Sequence, residues 1–121
     1  MTVAWPNRRS DVLIGLEVLA SPVPTLTADG HDPRQPDVTN AVHWVVDDTA
    51  WDERSAKESI GTLLIDEGEA LAVGEVVALI VQICQRQGAG SGDAAWFTDP
   101  DWPSLREAAS RAAATLRSNG A

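Results

Sequence analysis

The stretch DEGEALAVGEVVALIVQICQR, residues 66–86, says most about the fold of this chain. Asp66 and Glu69 have the D-x-x-E spacing of a capping box, in which side-chain oxygens accept hydrogen bonds from free amides at a helix N-terminus. The β-branched residues that follow would also suit a sheet, but a run of about twenty residues is too long for one strand. We therefore predict a helix over residues 67–86.

Apolar residues surround the axis of this predicted helix and leave only a narrow polar stripe. The stripe consists of Glu75, Gln82 and Arg86, with Gly74 and Ala78 beside it. A helix that is apolar on nearly every side is expected to be buried on nearly every side. We therefore expect a central helix that is almost wholly buried, including its Cys84.

Four further helices are predicted from apolar residues at helical spacing and from capping residues. They span about residues 8–20, 38–47, 55–63 and 102–117. Ser55 and Glu58 have capping-box spacing, and Asp101 is placed to cap the last helix. Residues 21–36 are predicted to form a loop, because prolines and a glycine interrupt any regular element there.

The composition suits one folded domain. The chain has 121 residues, of which 44% are hydrophobic, and a chain of this length can bury a core without disulfide or metal support. We predict that residues 1–121 form a single all-α domain, a bundle of about five helices around the helix at 67–86. The single cysteine excludes an internal disulfide and favours a reducing, cytoplasmic location.

The net charge of the chain indicates which kinds of binding partner are compatible with it. Eighteen acidic residues against nine basic ones give a net charge of -9. Phosphate backbones and anionic membrane surfaces would be repelled, so we predict neither nucleic-acid binding nor membrane binding. An acidic surface attracts basic protein partners.

The most distinctive local pattern places tryptophan beside carboxylates. Such a pair suits an incoming Arg or Lys side chain, through cation–π contact and charge pairing, and Trp is common at binding hot spots. We predict a partner-binding surface made of Trp44, Asp47, Asp48, Trp51, Asp52, Glu53, Trp96, Asp99 and Trp102. The alternative is that the tryptophans close the ends of a helical core, while the acids cap helices or face water.

A second group of residues suggests a ligand pocket under the loop at 21–36. His43 and Asp47 are four residues apart on the predicted second helix, and His31 and Asp32 lie on the loop. These residue types bind metals, but two histidines without fixed ligand spacing are better explained by an ion pair or a capped helix end. We keep His31, Asp32 and His43 as candidate pocket residues and predict no metal and no cofactor.

Nucleophilic catalysis finds little support in the sequence. Cys84 lies within the apolar helix, where a thiol behaves as a small hydrophobic group, and no G-x-S-x-G motif is present. Many carboxylate pairs exist, but nothing singles out one of them as an acid–base pair. An enzyme is therefore the less favoured interpretation.

Three short stretches carry a resemblance to a family. Residues 44–49 (WVVDDT), 59–64 (SIGTLL) and 67–70 (EGEA) resemble small uncharacterised all-helical proteins of actinobacteria, and the resemblance covers roughly residues 42–110. It implies a helical fold and no specific activity. In size, acidity and lack of catalytic motifs the chain also resembles, as a class only, the immunity proteins of bacterial toxin systems.

These observations favour a non-enzymatic interaction protein that binds a basic partner through an acidic, Trp-bearing surface. Two alternatives stay open: a small-molecule binder or enzyme with a pocket under the 21–36 loop, and a structural subunit of a homodimer.

Overall fold

The computed structural model describes residues 3–20, 41–42, 45–46, 49–51, 53–88 and 93–119. Within these described residues four α-helices can be delimited: α1 (Pro6–Ala20), α2 (Glu67–Gln87), α3 (Asp93–Phe97) and α4 (Trp102–Ser118). A short 3-10 helix, Ala56–Ser59, lies between α1 and α2. These described parts contain no strand, and the predicted all-α class is confirmed.

The predicted start of α2 is confirmed in detail. Asp66 Oδ1 accepts a hydrogen bond of 3.0 Å from the Glu69 amide, which is the N-cap contact that the D-x-x-E spacing indicates. At the other end Gly88 has φ +80°, a conformation that side chains other than glycine disfavour, and its amide donates to the Cys84 carbonyl. The helix is therefore delimited at both ends by local sequence.

Helix α4 lies between α1 and α2 and packs on both. Its apolar stripe is confirmed as buried, and it consists of Leu105, Ala108, Ala109, Ala112, Ala113 and Leu116. Four alanines in this stripe let the neighbouring helix axes come close, because a methyl group occupies little space between them. On α1, Val12, Leu16 and Leu19 complete the same core.

The extent of burial predicted for α2 is corrected. One face of α2 is buried against α4 and the 3-10 helix, but Leu71 is 77% exposed and Cys84 is exposed. The helix has apolar residues on more sides than it has neighbours, so composition alone overstated its burial. Leu71 is consequently a surface residue.

Two local predictions are also corrected. The third helix is shorter than residues 55–63, because Gly61 at φ +97° turns the chain after Ser59, although the capping box between Ser55 and Glu58 is present. Asp101 makes no side-chain cap to α4, since its carboxylate pairs with Arg86 instead.

Part of the predicted second helix can be located. Residues 41–42 are α-helical and residues 45–46 lie in a π-helical turn, with Ala41 and Val45 fully buried. The rest of the range 38–47 and the predicted loop at 21–36 lie outside the described residues. None of the described helices combines the length and the apolar character needed to cross a lipid bilayer.

Candidate functional site

The predicted partner-binding residues are only partly described, and the tryptophans among them are buried. Trp51, Trp96 and Trp102 are 5%, 8% and 3% exposed. Trp51 Nε1 donates a 2.9 Å hydrogen bond to Ser59 Oγ, and the Trp102 ring meets Phe97 edge-on. These three side chains therefore pack into the core, as the alternative interpretation holds, and in the isolated chain they offer little area to a partner.

The other predicted site residues divide into two groups. Glu53 is exposed, whereas Asp99 is buried. The remaining ones lie outside the described residues: Trp44, Asp47, Asp48, Asp52, and the candidate pocket residues His31, Asp32 and His43. The use of the acidic stretches for binding, and the pocket under the 21–36 loop, stay predictions.

Asp99 fastens the turn before α4 to the C-terminal end of α2. Its carboxylate accepts hydrogen bonds from Arg86, from Gln87 Nε2 at 2.8 Å and from the Asp101 amide at 2.9 Å. Burial alone would raise the pKa of Asp99, but these donors outweigh it and lower the pKa below its ordinary value. Asp99 therefore has a structural role in the isolated chain.

A buried ion pair between α1 and α2 was not foreseen from the sequence. Arg9 donates to Glu69 through both terminal nitrogens, at 2.6 and 2.7 Å, in the bidentate geometry that favours Arg over Lys. Arg9 also donates to the Leu63 carbonyl at 3.0 Å and the Leu116 carbonyl at 3.3 Å. One guanidinium thus joins α1, α2, α4 and the turn before α2.

The carboxylate of Glu69 is equally well supplied with donors. It accepts from the Ile65 amide and from Asn119 Nδ2, each at 2.8 Å, besides Arg9. Burial works to raise the pKa of Glu69, but the hydrogen bonds from Arg9, Ile65 and Asn119 lower it overall. Such a satisfied, charged network inside the core is a structural feature with no accessible reactive group.

An apolar groove lies between α2 and residues 51 and 54–57. It has a volume of about 610 Å³. Its apolar lining consists of Trp51, Ala56, Ala70, Leu71, Gly74, Val77 and Ala78, and its charged rim of Arg54, Lys57, Glu67 and Glu75. Ligand and peptide sites commonly have this size and this mixture of apolar floor and polar rim.

A second hollow of about 620 Å³ adjoins the groove at Arg54. It lies at the N-terminus and is lined by Trp5, Arg8 and Thr49 among others, with Arg54 shared between both hollows. Trp5 is 48% exposed there. We refer to Trp5, Arg54, Leu71 and Gly74, with the two hollows that they line, as the groove face.

The groove face was missed at the sequence level for identifiable reasons. A helix that is apolar on nearly every side predicts a buried Leu71, and the sequence pattern places Gly74 only beside the polar stripe. Trp5 stands beside no carboxylate, so the Trp–acid pattern did not select it. Only the packing of α2 shows which apolar residues have no neighbour.

The groove face combines apolar side chains with charged ones at its rim. The described lining residues include no His or Cys, and Ser55 Oγ already accepts a hydrogen bond from the Lys57 amide as a helix cap. Within the described residues no three His, Cys, Asp or Glu side chains are arranged to hold a metal ion.

Comparison with known families places the chain. A family model described as "Domain of unknown function (DUF7945)" matches residues 3–121. The chain belongs to this family. The expected membership of a family without an assigned activity is thereby confirmed. The chain matches no curated protein and no solved structure.

Proposed function

We propose that this DUF7945 chain is a non-enzymatic interaction protein that binds a basic protein partner through its acidic segment, residues 29–53. The observation that carries the proposal is the distribution of charge. This segment holds seven carboxylates and one arginine, which is -6 of the chain's net charge of -9. Carboxylates concentrated in this way steer and hold cationic partners.

The described helices support this assignment by contrast, because much of their charge is matched internally. Arg9 pairs with Glu69, Arg86 with Asp99 and Asp101, and Arg111 with Glu75. Lys57–Glu67 and Arg117–Glu17 form further pairs. The sequence of the acidic segment offers seven carboxylates and only one basic residue for pairing, whereas many carboxylates of the helices already have a basic partner.

The burial of Trp51 changes how the segment would act. The indole is fixed by packing and by Ser59, so the ring anchors the end of the acidic segment to the folded core. Carboxylates next to a fixed anchor lose less conformational entropy on binding than carboxylates on a free chain. We assign recognition to Asp47, Asp48, Asp52 and Glu53, and a supporting role to Trp51.

The test replaces carboxylates by amides. We expect the double variant Asp47→Asn/Asp48→Asn to weaken binding of a synthetic arginine-rich peptide by about tenfold at low salt, because two rim charges are removed. Isothermal titration measures the affinity. The same variant should also bind less of the product of a neighbouring gene, where such a product is basic.

The matched control is Asp11→Asn/Glu107→Gln, which removes two exposed charges from α1 and α4. If both double variants weaken binding equally, general charge and not the acidic segment is responsible, and the assignment is wrong. Circular dichroism confirms that each variant is folded. A cytoplasmic location, inferred from the single cysteine, belongs to the same proposal.

A further inference from the structure

We propose that the groove face is the interface of a homodimer, in which α2 of one copy packs across α2 of the other. This inference is independent of the acidic segment, and it concerns a different surface. It rests on exposed apolar side chains, on the local balance of charge and on the position of Gly74.

Exposed apolar side chains are concentrated on this face. Among the described residues three large hydrophobic side chains are exposed: Trp5, Ile14 and Leu71. Two of the three, Trp5 and Leu71, line the two hollows that meet at Arg54. Apolar area next to Trp and Arg is typical of protein interfaces.

The balance of charged residues around the groove favours binding of a second copy of the chain over binding of a basic partner. Its rim carries two cations, Arg54 and Lys57, and two carboxylates, Glu67 and Glu75, so it is locally neutral on a chain of -9. A basic partner would gain no net attraction there. Across a two-fold axis, however, the cations of each copy can face the carboxylates of the other.

These rim charges are free to change partners at little cost. Lys57 and Glu67 are about 70% exposed in their present ion pair, and Glu75 is about half exposed in its pair with Arg111. Exposed pairs contribute little to stability. Replacing these ion pairs within one copy by ion pairs between two copies therefore lowers the stability of each copy only slightly.

Gly74 gives α2 a surface that another helix can approach closely. A Cβ atom built at Gly74 would meet no described atom within 4 Å, so none of the described residues requires a glycine at this point of the helix. Ala78 is exposed one turn further along the same side, and Leu71 lies one turn before Gly74, whereas Ala70 belongs to the buried face. In an antiparallel pair, the Leu71 side chain of each copy can insert over the small residues of the other.

The first measurement is the mass of the full chain in solution by sedimentation or light scattering. We expect the mass to rise with concentration from the monomer value of 12.9 kDa towards the dimer. We expect Leu71→Glu to raise the dimer dissociation constant by at least about tenfold, because one charged group from each copy enters the apolar contact. Since Leu71 is exposed, this variant should fold normally.

Ile14→Glu is the matched control, because Ile14 is also an exposed aliphatic residue on a helix, is 50% exposed and lines neither hollow. It should leave the dimer unchanged. Gly74→Ala should change two properties in opposite directions. At dilutions where the chain is monomeric, the melting temperature should rise, because alanine favours a helix more than glycine does. Dimerisation should become weaker, because the added methyl group keeps the two helices apart.

Three outcomes overturn the proposal. One is a monomeric mass at every concentration, which would leave the groove to another kind of ligand. Another is an equal effect of Leu71→Glu and Ile14→Glu. The third is a Leu71→Glu variant that is folded and still dimeric. None of them bears on the acidic segment, whose test uses a different probe and different variants.

Discussion

Arg9 and Glu69 show how a single pair of charged residues can organise several helices. Both side chains are almost completely withdrawn from water, and backbone carbonyls, a backbone amide and the Asn119 side chain supply further hydrogen bonds to the pair. The desolvation of two charges is costly, so the pair is stable only because its geometry is bidentate and its remaining groups are satisfied. The pair as a whole therefore adds little to the free energy of unfolding, but removing only one of its two charges is expected to lower that free energy strongly.

Glu69→Gln is expected to lower the free energy of unfolding by about 3–5 kcal/mol, because Arg9 is left buried without its counter-charge. Chemical denaturation of the full chain measures the difference. The double variant Arg9→Met/Glu69→Met is the control, since it removes both charges together. If Glu69→Gln costs no more than the double variant, the buried pair does not have the role assigned to it.

The same carboxylate makes stability depend on pH in the acid range. Because the folded pKa of Glu69 lies below its ordinary value of 4.5, the unfolded chain binds more protons as the pH falls through this range. Stability from Glu69 is therefore fully present above about pH 4.5 and is lost at lower pH. Asp99, whose pKa is also lowered, acts in the same direction.

As the pH is lowered from 4.5, we expect the free energy of unfolding to decrease more steeply in the native chain than in Arg9→Met/Glu69→Met. Denaturation curves between neutral and strongly acidic pH measure both slopes. Equal slopes would show that Glu69 does not contribute to acid sensitivity.

At the scale of elements, the alanine stripe of α4 sets the distance between the helices on either side. Ala112 is fully buried between them, whereas Ala114 lies on the exposed face of the same helix. We expect Ala112→Leu to destabilise the fold by about 1–3 kcal/mol through overpacking. Ala114→Leu should stay within about 0.5 kcal/mol of the native chain. Thermal unfolding compares the two, and a neutral Ala112→Leu would contradict close packing.

The sequence predicts those elements well whose determinants are local. The N-cap at Asp66, the capping box at Ser55 and the alanine stripe of α4 depend on residues a few positions apart, and all three are found. Exposure of Leu71 and Cys84 depends instead on which elements pack against α2. Periodicity reports which faces are apolar, and it cannot report whether each of them has a neighbour.

The candidate site was harder to predict because it depends on contacts between distant residues. The Trp–acid pattern selected Trp51, Trp96 and Trp102, but their burial follows from the core that they close. Arg9 and Glu69 are sixty positions apart and carry no mutual signal in one sequence. Trp5 and Leu71 line two hollows that share Arg54, and this arrangement depends on how the N-terminal residues and α2 pack in the fold.

On the scale of the whole molecule, the two proposed surfaces differ in their response to salt. Binding of a basic partner to the acidic segment is an attraction between opposite charges, which added salt screens. Two copies of a chain with a net charge of -9 repel each other, so salt should favour a dimer formed through a locally neutral, apolar groove face.

We therefore expect opposite trends as sodium chloride is raised from about 50 to 500 mM, a range over which the screening length falls well below the size of the chain. Affinity for the arginine-rich peptide should decrease, while the dimer dissociation constant should fall or stay unchanged. Titration and sedimentation on the same preparation measure both. A dimer that dissociates in salt as readily as the peptide would mean that charge pairing, and not burial of Leu71 and Trp5, holds the two copies together.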